Sequence, residues 1–475
     1  MKGPAQRLTR LTATDTAFLH QETGSAHMSV GGLATFDGPA PTLEELRAHV
    51  GRRLDLIPRY RQRLKFPPLH SGRPLWADDQ AFDIDYHVRR RVLEPPGGSR
   101  ELWALHAEIF AARLHRDRPL WELYLVDGLR GGRFAIIAKN HHALTDGVSN
   151  IDVLDVLWDL SADAPDRPGA GADGWRPATP PSAAEVLGAG VRELIGGPLG
   201  LARAGASLAA HPVGTAERLV RGTQGVLEIA RAIATPAPRT PLNVRIGPRR
   251  SFRTVHTDLA DFKRVKDAFG ATVNDVMLTV VAEGVGAVLR SVGEEADALV
   301  LRPVVPVSIR RPDERTQLGN RVVTMRPALP VDGHDAVARL KLVHREMTRL
   351  KGSTQPTVVE VLENIMNWAP PLALGPVARI GFHPRLFSLL ISNIPGPQFP
   401  LYLRGRRAAD MVACGFLAEE QALAVAAVSY DGQLGFGLLA DPDVVPDLDV
   451  MADAIVRSLG ELVAAASDHN PKRAR

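Results

Sequence analysis

The stretch KNHHALTDGVSNIDVLDVLWDL, residues 139–160, places two histidines at the end of an apolar strand and an Asp-Gly pair before a helix. Successive strand residues point to opposite faces, so His141 and His142 cannot both face one site if the strand continues through them. The pattern also differs from HExxH, the helical histidine pair that binds zinc in metalloproteases. The stretch therefore argues against a paired-histidine metal site and favours one working imidazole.

A single histidine at a strand terminus suits general-base chemistry, because an unperturbed imidazole titrates near neutrality. Asp146 can orient that imidazole, or it can cap the helix that begins near Gly147, and spacing alone favours the structural role. The ordinary interpretation of the histidines, with one in the core and one on the surface, also stays open at this point.

Strands and helices alternate around this stretch. The apolar runs WELYLVDGL, from Trp121, and RFAIIAKN, from Arg133, are joined by a short glycine-containing loop, which predicts a hairpin. Upstream, Thr42 with Glu45 three residues later forms a capping box, which predicts the start of a helix.

The second half of the chain has the same mixed content. VNDVMLTVVAEGVGAVLRS, from Val273, predicts a strong helix. LVLRPVVPVSIR, from Leu299, predicts a strand at an edge or bulge because it contains two prolines. Asp431-Gly432 between two apolar runs predicts a tight hairpin turn.

A change of composition separates the two halves. Residues 161–182 are rich in Pro, Gly and Ala with almost no large apolar residues, which is typical of a linker. We predict an N-terminal domain over residues 1–160, a linker and helical crossover over 161–240, and a C-terminal domain over 241–475. The expected fold class is α/β (α+β), with mixed sheets flanked by helices.

Composition excludes several classes of protein. The 475 residues are 45% hydrophobic and 23% charged, as in globular chains. Cys414 is the single cysteine, so the chain has no intrachain disulfide framework and fits a reducing cytoplasm. We identify no signal peptide, and no apolar run is long enough to span a bilayer. The net charge of +4 is no nucleic-acid-binding signature, and no CxxC, DxDxDG or GxGxxG pattern predicts a metal or redox cofactor.

The segment HHALTDG resembles the HHxxxDG motif of the bacterial wax ester synthase/diacylglycerol acyltransferase family, within the chloramphenicol-acetyltransferase-like superfamily. Condensation domains of peptide synthetases share this motif, so the other segments decide the resemblance. They follow in family order from about Leu11 to Asp447: LTATDTAFLHQE with Asp15, Phe18, Leu19 and Glu22, then AFDIDYHVRR, Pro119-Leu120-Trp121, Asn274-Asp275, PVSIRR with Gly319-Asn320, and SNIPGP from Ser392 to Pro397. The one small departure is Ile394, where the family often has Val.

The resemblance implies an O-acyltransferase built from two chloramphenicol-acetyltransferase-like domains, with the active site at their interface. His142 would be the general base that takes the proton from an acceptor alcohol, whose oxygen then attacks the thioester of an acyl-coenzyme A without an acyl-enzyme. By comparison His141 would be dispensable and Asp146 would support the geometry of the site. Gly147 would leave space at the tunnel where the two substrates meet.

Physical arguments assign different roles to Asn274 and Asp275. Thr272 is a good N-cap, and Asp275 at the third helical position completes a capping box, so we expect Asp275 to be structural. Asn274, whose amide can donate a hydrogen bond, is the better candidate to stabilise developing negative charge.

For four further residues the sequence leaves two possible roles open. Ser392 and Asn393 either form the turn before Pro-Gly-Pro or, from their position in the family, lie near the coenzyme and the oxyanion. Trp121 is either a core aromatic or part of the wall of the acyl or coenzyme channel. Glu22 is either a solvated charge or, by comparison with the family, a residue near the acyl tunnel.

The substrates implied by the resemblance are acyl-coenzyme A and diacylglycerol, with a long-chain alcohol as the second choice of acceptor. No cofactor is expected, since acyl-coenzyme A is a substrate, and neither a metal nor a nucleic acid is expected. Two alternatives remain: a condensation-type enzyme that uses carrier-bound acyl groups, which the absence of a carrier domain disfavours, and a non-catalytic lipid-binding protein of this fold.

The excess positive charge lies in the helical part of the crossover and the ten residues that follow it. Residues 181–250 contain nine arginines against four glutamates, a net +5, so the remainder of the chain is close to balance. We expect this segment to dock on an anionic surface, which gives a cytoplasmic protein peripherally associated with the inner membrane face or with lipid droplets. The alternative is a helical connector whose arginines are solvated.

Overall fold

A computed structural model of the chain describes residues 9–68, 72–144, 156–165, 175–193, 236–296, 299–308, 322–333, 335–352, 375, 383 and 386–469. Its strands are β1 (Thr9–Arg10), β2 (Ser29–Phe36), β3 (Gln62–Lys65), β4 (Leu75–Asp78), β5 (Val88–Val92), β6 (Trp121–Leu129), β7 (Arg133–His141), β8 (Ser251–Asp258), β9 (Val300–Leu301), β10 (Val305–Ser308), β11 (Val322–Met325), β12 (Leu329–Pro330), β13 (Leu390–Pro395), β14 (Tyr402–Leu403), β15 (Arg406–Cys414), β16 (Leu423–Tyr430) and β17 (Gln433–Ala440).

The helices within these ranges are α1 (Ala13–Gln21), α2 (Leu43–Gly51), α3 (Ile84–His87), α4 (Ser99–Ala111), α5 (Leu259–Phe269), α6 (Val273–Ser291), α7 (Ala336–Gly352) and α8 (Asp449–Asp468), and residues 183–193 are also helical. Both predicted capping boxes are confirmed. The hydroxyl of Thr42 accepts a hydrogen bond from the backbone of Glu45, and the Thr272 hydroxyl accepts one from Asp275.

Two mixed sheets form the framework. The larger has the strand order β14-β15-β2-β7-β6-β5, in which only β5 and β6 run parallel. The smaller has the order β13-β16-β17-β8, with β13 parallel to β16. The expected α/β (α+β) class, with helices beside mixed sheets, is therefore confirmed.

The larger sheet takes strands from both halves of the sequence. β14 and β15 come after residue 400, yet β15 pairs with β2, so that Cys414 lies opposite Gly31. A boundary near residue 241 therefore does not separate the two sheets. Pairing between strands so far apart in sequence has no local signature. The change of composition alone therefore could not reveal that strands of the second half join the sheet of the first half.

Local turn chemistry follows the sequence closely. The β16–β17 hairpin turns at Asp431 and Gly432, both with positive φ (43° and 83°), as a tight turn of this kind requires. The proline-containing run from Leu299 is broken into β9 and β10, which pair in two-stranded sheets, and Val304 between them forms an isolated bridge with Leu390 at the edge of the smaller sheet. Both outcomes confirm the predictions from the sequence.

The two sheets meet where β17 crosses β15. A Cβ atom placed on Gly437 would lie 2.0 Å from the carbonyl oxygen of Ala413, so only glycine permits this approach. Helix α6 packs between α7, α8 and the smaller sheet with most of its residues buried. In the described ranges no helix by itself has the length and hydropathy to cross a bilayer, although the bent pair α5–α6 meets that test jointly.

Candidate active site

The two histidines lie where β7 ends. His141 is the last residue of the strand and pairs with Ser29, whereas His142 begins a 3-10 turn that extends to Leu144. The backbone N–H of His142 donates to the carbonyl oxygen of Met28 at 2.9 Å, which holds the turn against the start of β2. The side chain of His141 is buried, while His142 keeps some accessible surface. The two imidazoles therefore have different surroundings.

Aromatic rings surround the imidazole of His142. Phe18 of α1 stacks on it with ring centroids 3.8 Å apart and an interplanar angle of 21°. Phe416, which follows β15, meets it edge-on at 5.7 Å and 85°. Burial, with a smaller contribution from His141, lowers the pKa of His142 to about 4. The imidazole is therefore neutral at physiological pH.

The imidazole of His141 belongs to a buried ionic cluster. Its Nδ1 accepts a hydrogen bond from the backbone N–H of Ala143 at 3.0 Å, and its Nε2 lies 3.4 Å from Oε1 of Glu22. The other carboxylate oxygen of Glu22 accepts from Arg113 Nη2 at 2.7 Å and from Arg116 Nε at 2.8 Å. We call Glu22, Arg113, Arg116 and His141 the Glu22 cluster.

Glu22 is a buried charge rather than a solvated one. Its side chain is 1% exposed, so it is not a solvated charge, and its described partners are protein groups. Burial alone would raise the pKa of this carboxyl, but His141 and the two arginines outweigh it and lower the pKa to about 2. The signal in the sequence was the pair Arg113 and Arg116 just before Pro-Leu-Trp, which sequence reasoning missed.

Lys139 is a second buried charge that sequence reasoning missed. It lies two residues before His141 on the same face of β7, and its Nζ donates to the carbonyl of Ile109 at 2.7 Å and also to that of Ala112. These carbonyls end α4, so the ammonium caps that helix. Burial lowers the pKa of Lys139 to about 8. The strand that carries the histidines is thereby fixed to α4 just ahead of Arg113.

Asn274 and Asp275 lie at the start of α6 with different partners. Asp275 is buried, closes the predicted capping box with Thr272 and accepts from Nδ1 of His344 at 2.8 Å, so its expected structural role is confirmed. Asn274 accepts through Oδ1 from Nδ2 of Asn393 at 3.1 Å. Its own Nδ2 is buried and has no hydrogen-bond acceptor among the described residues.

The remaining predicted residues are placed as follows. Trp121 is fully buried, donates from Nε1 to the carbonyl of Tyr60 at 2.7 Å and stacks on His87. Ser392 lies on β13 beside Asn393, half-buried. Asp146 and Gly147 lie outside the described residues.

No group of three or more His, Cys, Asp or Glu side chains that could hold a metal ion occurs within the described ranges.

Comparison with known proteins identifies the family. Residues 11–277 match the model of the wax ester synthase/diacylglycerol acyltransferase catalytic domain, and residues 318–463 match that of the C-terminal domain of the same proteins. The chain belongs to this family. It is therefore an acyltransferase, as the resemblance implied.

Curated members of the wax ester synthase/diacylglycerol acyltransferase family are similar over nearly the whole chain. The probable diacylglycerol O-acyltransferase tgs1 of Mycobacterium tuberculosis is 34% identical over 98% of this chain and 98% of its own length. The probable diacylglycerol O-acyltransferase tgs2 of the same organism is 33% identical over 95% of this chain and 98% of its own.

Solved structures support the fold. The wax ester synthase/diacylglycerol acyltransferase from Marinobacter aquaeolei is 27% identical, with a TM-score of 0.67 and coverage of 97% of this chain and 100% of that one. The starter condensation domain of rhizomide synthetase RzmA aligns with a TM-score of 0.56 over 97% of this chain and 94% of that one, at 15% identity. The second likeness concerns the fold alone.

We expect the Glu22 cluster to stabilise the fold of this acyltransferase. Glu22→Gln replaces the buried anion by a neutral amide and is expected to lower the free energy of unfolding by about 1–3 kcal/mol, with Arg113 and Arg116 able to turn toward water. The pKa of about 2 lies below the ordinary value, so the contribution of the carboxylate is fully present above pH 4.5 and is lost as the pH falls toward 2. Urea unfolding at several pH values measures both effects.

The matched control is Glu108→Gln, which removes an exposed carboxylate paired with Arg91 at 2.9 Å. Exposed pairs of this kind contribute about 0–1 kcal/mol. A stabilising role for the cluster would be contradicted if both variants lost the same free energy of unfolding. It would also be contradicted if the difference in unfolding free energy between wild type and Glu22→Gln did not become smaller below pH 4.5.

Proposed function

We propose that this chain transfers a long-chain acyl group from acyl-coenzyme A to the hydroxyl of diacylglycerol, giving triacylglycerol, with a long-chain alcohol as the second acceptor. Membership of the family supports the proposal, as do the two relatives named as diacylglycerol O-acyltransferases. The likeness to condensation domains extends to the fold only, so it does not favour carrier-bound acyl groups as donors.

The observation that carries the proposal is the neutral imidazole of His142 among apolar rings at the end of β7. In the proposed reaction a ring nitrogen of His142 takes the proton of the acceptor hydroxyl while the hydroxyl oxygen bonds to the thioester carbonyl carbon. The carbon–sulfur bond then breaks, and the imidazolium returns its proton to the coenzyme A thiolate. No acyl-enzyme forms and no cofactor takes part, because acyl-coenzyme A is consumed as a substrate.

Asn274 is the proposed donor to the oxyanion. Since its Oδ1 already accepts from Asn393, the amide is held with its Nδ2 pointing away from that bond, buried and without an acceptor among the described residues. A preorganised donor of this kind stabilises charge that develops on a carbonyl oxygen. Asn393 then acts by orienting Asn274, and Ser392 remains a candidate donor to the coenzyme. For Asp146 and Gly147 the roles proposed are those that the resemblance implies: support for the site and space at the tunnel.

His142 and His141 can be distinguished by an acyl-transfer assay. Purified protein is incubated with radiolabelled long-chain acyl-coenzyme A and either diacylglycerol or hexadecanol. His142→Ala is expected to lower kcat by about 10²–10⁴-fold, because it removes the general base. His141→Gln is expected to lose far less, since its imidazole contacts Glu22 rather than the proposed reacting groups.

Absence of any neutral lipid from the wild-type protein with either acceptor would refute the proposed function and favour a non-catalytic lipid-binding protein. Full activity in His142→Ala with loss in His141→Gln would reverse the assignment of the base.

Asn274→Ala tests the oxyanion donor in the same assay. We expect a loss of about 10²–10³-fold in kcat with little change in KM, because the donor acts when negative charge develops. Asp275→Asn, which alters the neighbouring capping residue, is the control and should reduce stability more than kcat. A raised KM at unchanged kcat in Asn274→Ala would assign Asn274 to substrate binding instead.

We further propose that the crossover docks on an anionic membrane or lipid-droplet surface, where the acceptor dissolves. Its first helix, at residues 183–193, packs on Leu75 through Val186 and Ala189 and leaves Leu187 and Val191 44% and 40% exposed. An exposed apolar face beside arginine-rich sequence suits the boundary between lipid headgroups and acyl chains. Of the nine arginines, Arg245 and Arg249 pair with acidic groups of the second half.

Vesicle flotation tests the docking. With vesicles of phosphatidylcholine and phosphatidylglycerol, Arg218, Arg221 and Arg231 changed together to Gln should weaken binding, as should Leu187→Ser with Val191→Ser. The control Val456→Ser removes an apolar residue of similar exposure, 52%, from α8. Binding that is unchanged in both crossover variants would refute the docking and leave a solvated connector.

A further inference from the structure

The phenyl ring of Phe18 stacks on one face of the His142 imidazole. Phe18 lies nearly parallel to it at 3.8 Å, whereas Phe416 meets both rings at steep angles, 85° to the imidazole and 76° to Phe18. Stacking at this distance fixes the plane of the imidazole and covers one of its two faces. The edge of the imidazole, where its nitrogens lie, is not covered by the phenyl.

Resting on the proposed role of His142 as the base, we infer that Phe18 is a positioning residue for acyl transfer. Its ring holds the imidazole in plane and offers the negative face of its π system to the imidazolium that forms when His142 takes the proton from the acceptor hydroxyl. The charge is transient, because the same proton leaves with the coenzyme A thiolate.

The physical basis is the quadrupole of the phenyl ring. A cation over the face of an aromatic ring is stabilised, and more so where water is excluded, whereas a neutral imidazole gains little from it. The interaction is therefore stronger in the transition state than in the resting enzyme, which is the condition for a faster chemical step. In the described part of the chain the titratable neighbour of His142 is His141, whose protonation would oppose this charge.

Phe18 is well placed for this role because both ends of α1 are fixed. At the start, the hydroxyl of Thr12 accepts a hydrogen bond from the backbone of Asp15 at 3.0 Å. At the end, Glu22 is held in the Glu22 cluster beside His141. The phenyl ring lies between these two anchors, so it can keep its position while the charge on His142 changes.

Fluorination of the ring tests the inference with little change of shape. Phe18 is replaced by mono-, tri- and pentafluorophenylalanine through an expanded genetic code, and kcat is measured with acyl-coenzyme A and diacylglycerol. Fluorine progressively weakens the negative face, so log kcat should fall with the number of fluorines, by about 5- to 30-fold at five. KM should change little, and Phe18→Tyr, which keeps the π face, should stay near the wild-type kcat.

The same substitutions at Phe436 are the control. That ring is fully buried in the core around α6 and contacts Phe262, so it carries the packing cost of fluorination without touching His142. A second readout is the pH profile of kcat/KM: loss of the π face should move its acid limb to lower pH, because the imidazolium is less stable. If Phe18 had only a structural role, fluorination would change the melting temperature but would not shift the acid limb of the pH profile.

Failure of this inference differs from failure of the proposed function. If the wild-type enzyme is active and His142→Ala is not, but kcat is unaffected by the number of fluorines, then Phe18 is only a packing residue. If the wild-type protein transfers no acyl group, or His142→Ala retains full activity, the proposed function itself fails first.

Discussion

The buried carboxylate of Glu22 is the interaction on which the arrangement of the histidine turn depends. An anion that is 1% exposed needs compensating charge, and it receives it from Arg113, Arg116 and His141. These partners come from the segment after α4 and from the end of β7, so one carboxylate joins three elements. Because Lys139 also caps α4 from β7, the strand, α4 and the end of α1 form one polar junction beneath His142.

Next to this polar junction lies an apolar environment, so the two adjacent histidines have different surroundings. His141 lies in the ionic cluster, whereas the next residue, His142, lies among Phe18 and Phe416. Phe416 reaches the turn only because β15, from the second half of the chain, completes the sheet of the first half beside β2. The proposed site is therefore assembled from residues of both halves of the chain.

The sequence predicts interactions between neighbouring residues well and interactions between distant residues poorly. The capping box of Asp275 and the turn at Asp431 and Gly432 depend on neighbouring residues, so propensity and spacing predicted them correctly. The pairs Asn393–Asn274 and Glu22–Arg116 span 119 and 94 residues, and strand order decides which of these residues meet. A motif could nominate Glu22 and Asn393, but only the sheet topology shows what each contacts.

A base with a pKa of about 4 is poorly matched to an alcohol when the proton-abstraction step is considered alone, yet the full proposed reaction explains the value. Such an imidazole is always deprotonated at neutral pH, so it is ready to accept a proton, but it is a weak acceptor unless the imidazolium is stabilised as it forms. Once formed, that imidazolium is a strong acid, which suits rapid return of the proton to a thiolate leaving group. The apolar walls thus favour the second half of the reaction at the expense of the first. The π face of Phe18 offsets part of that expense at the moment the charge appears.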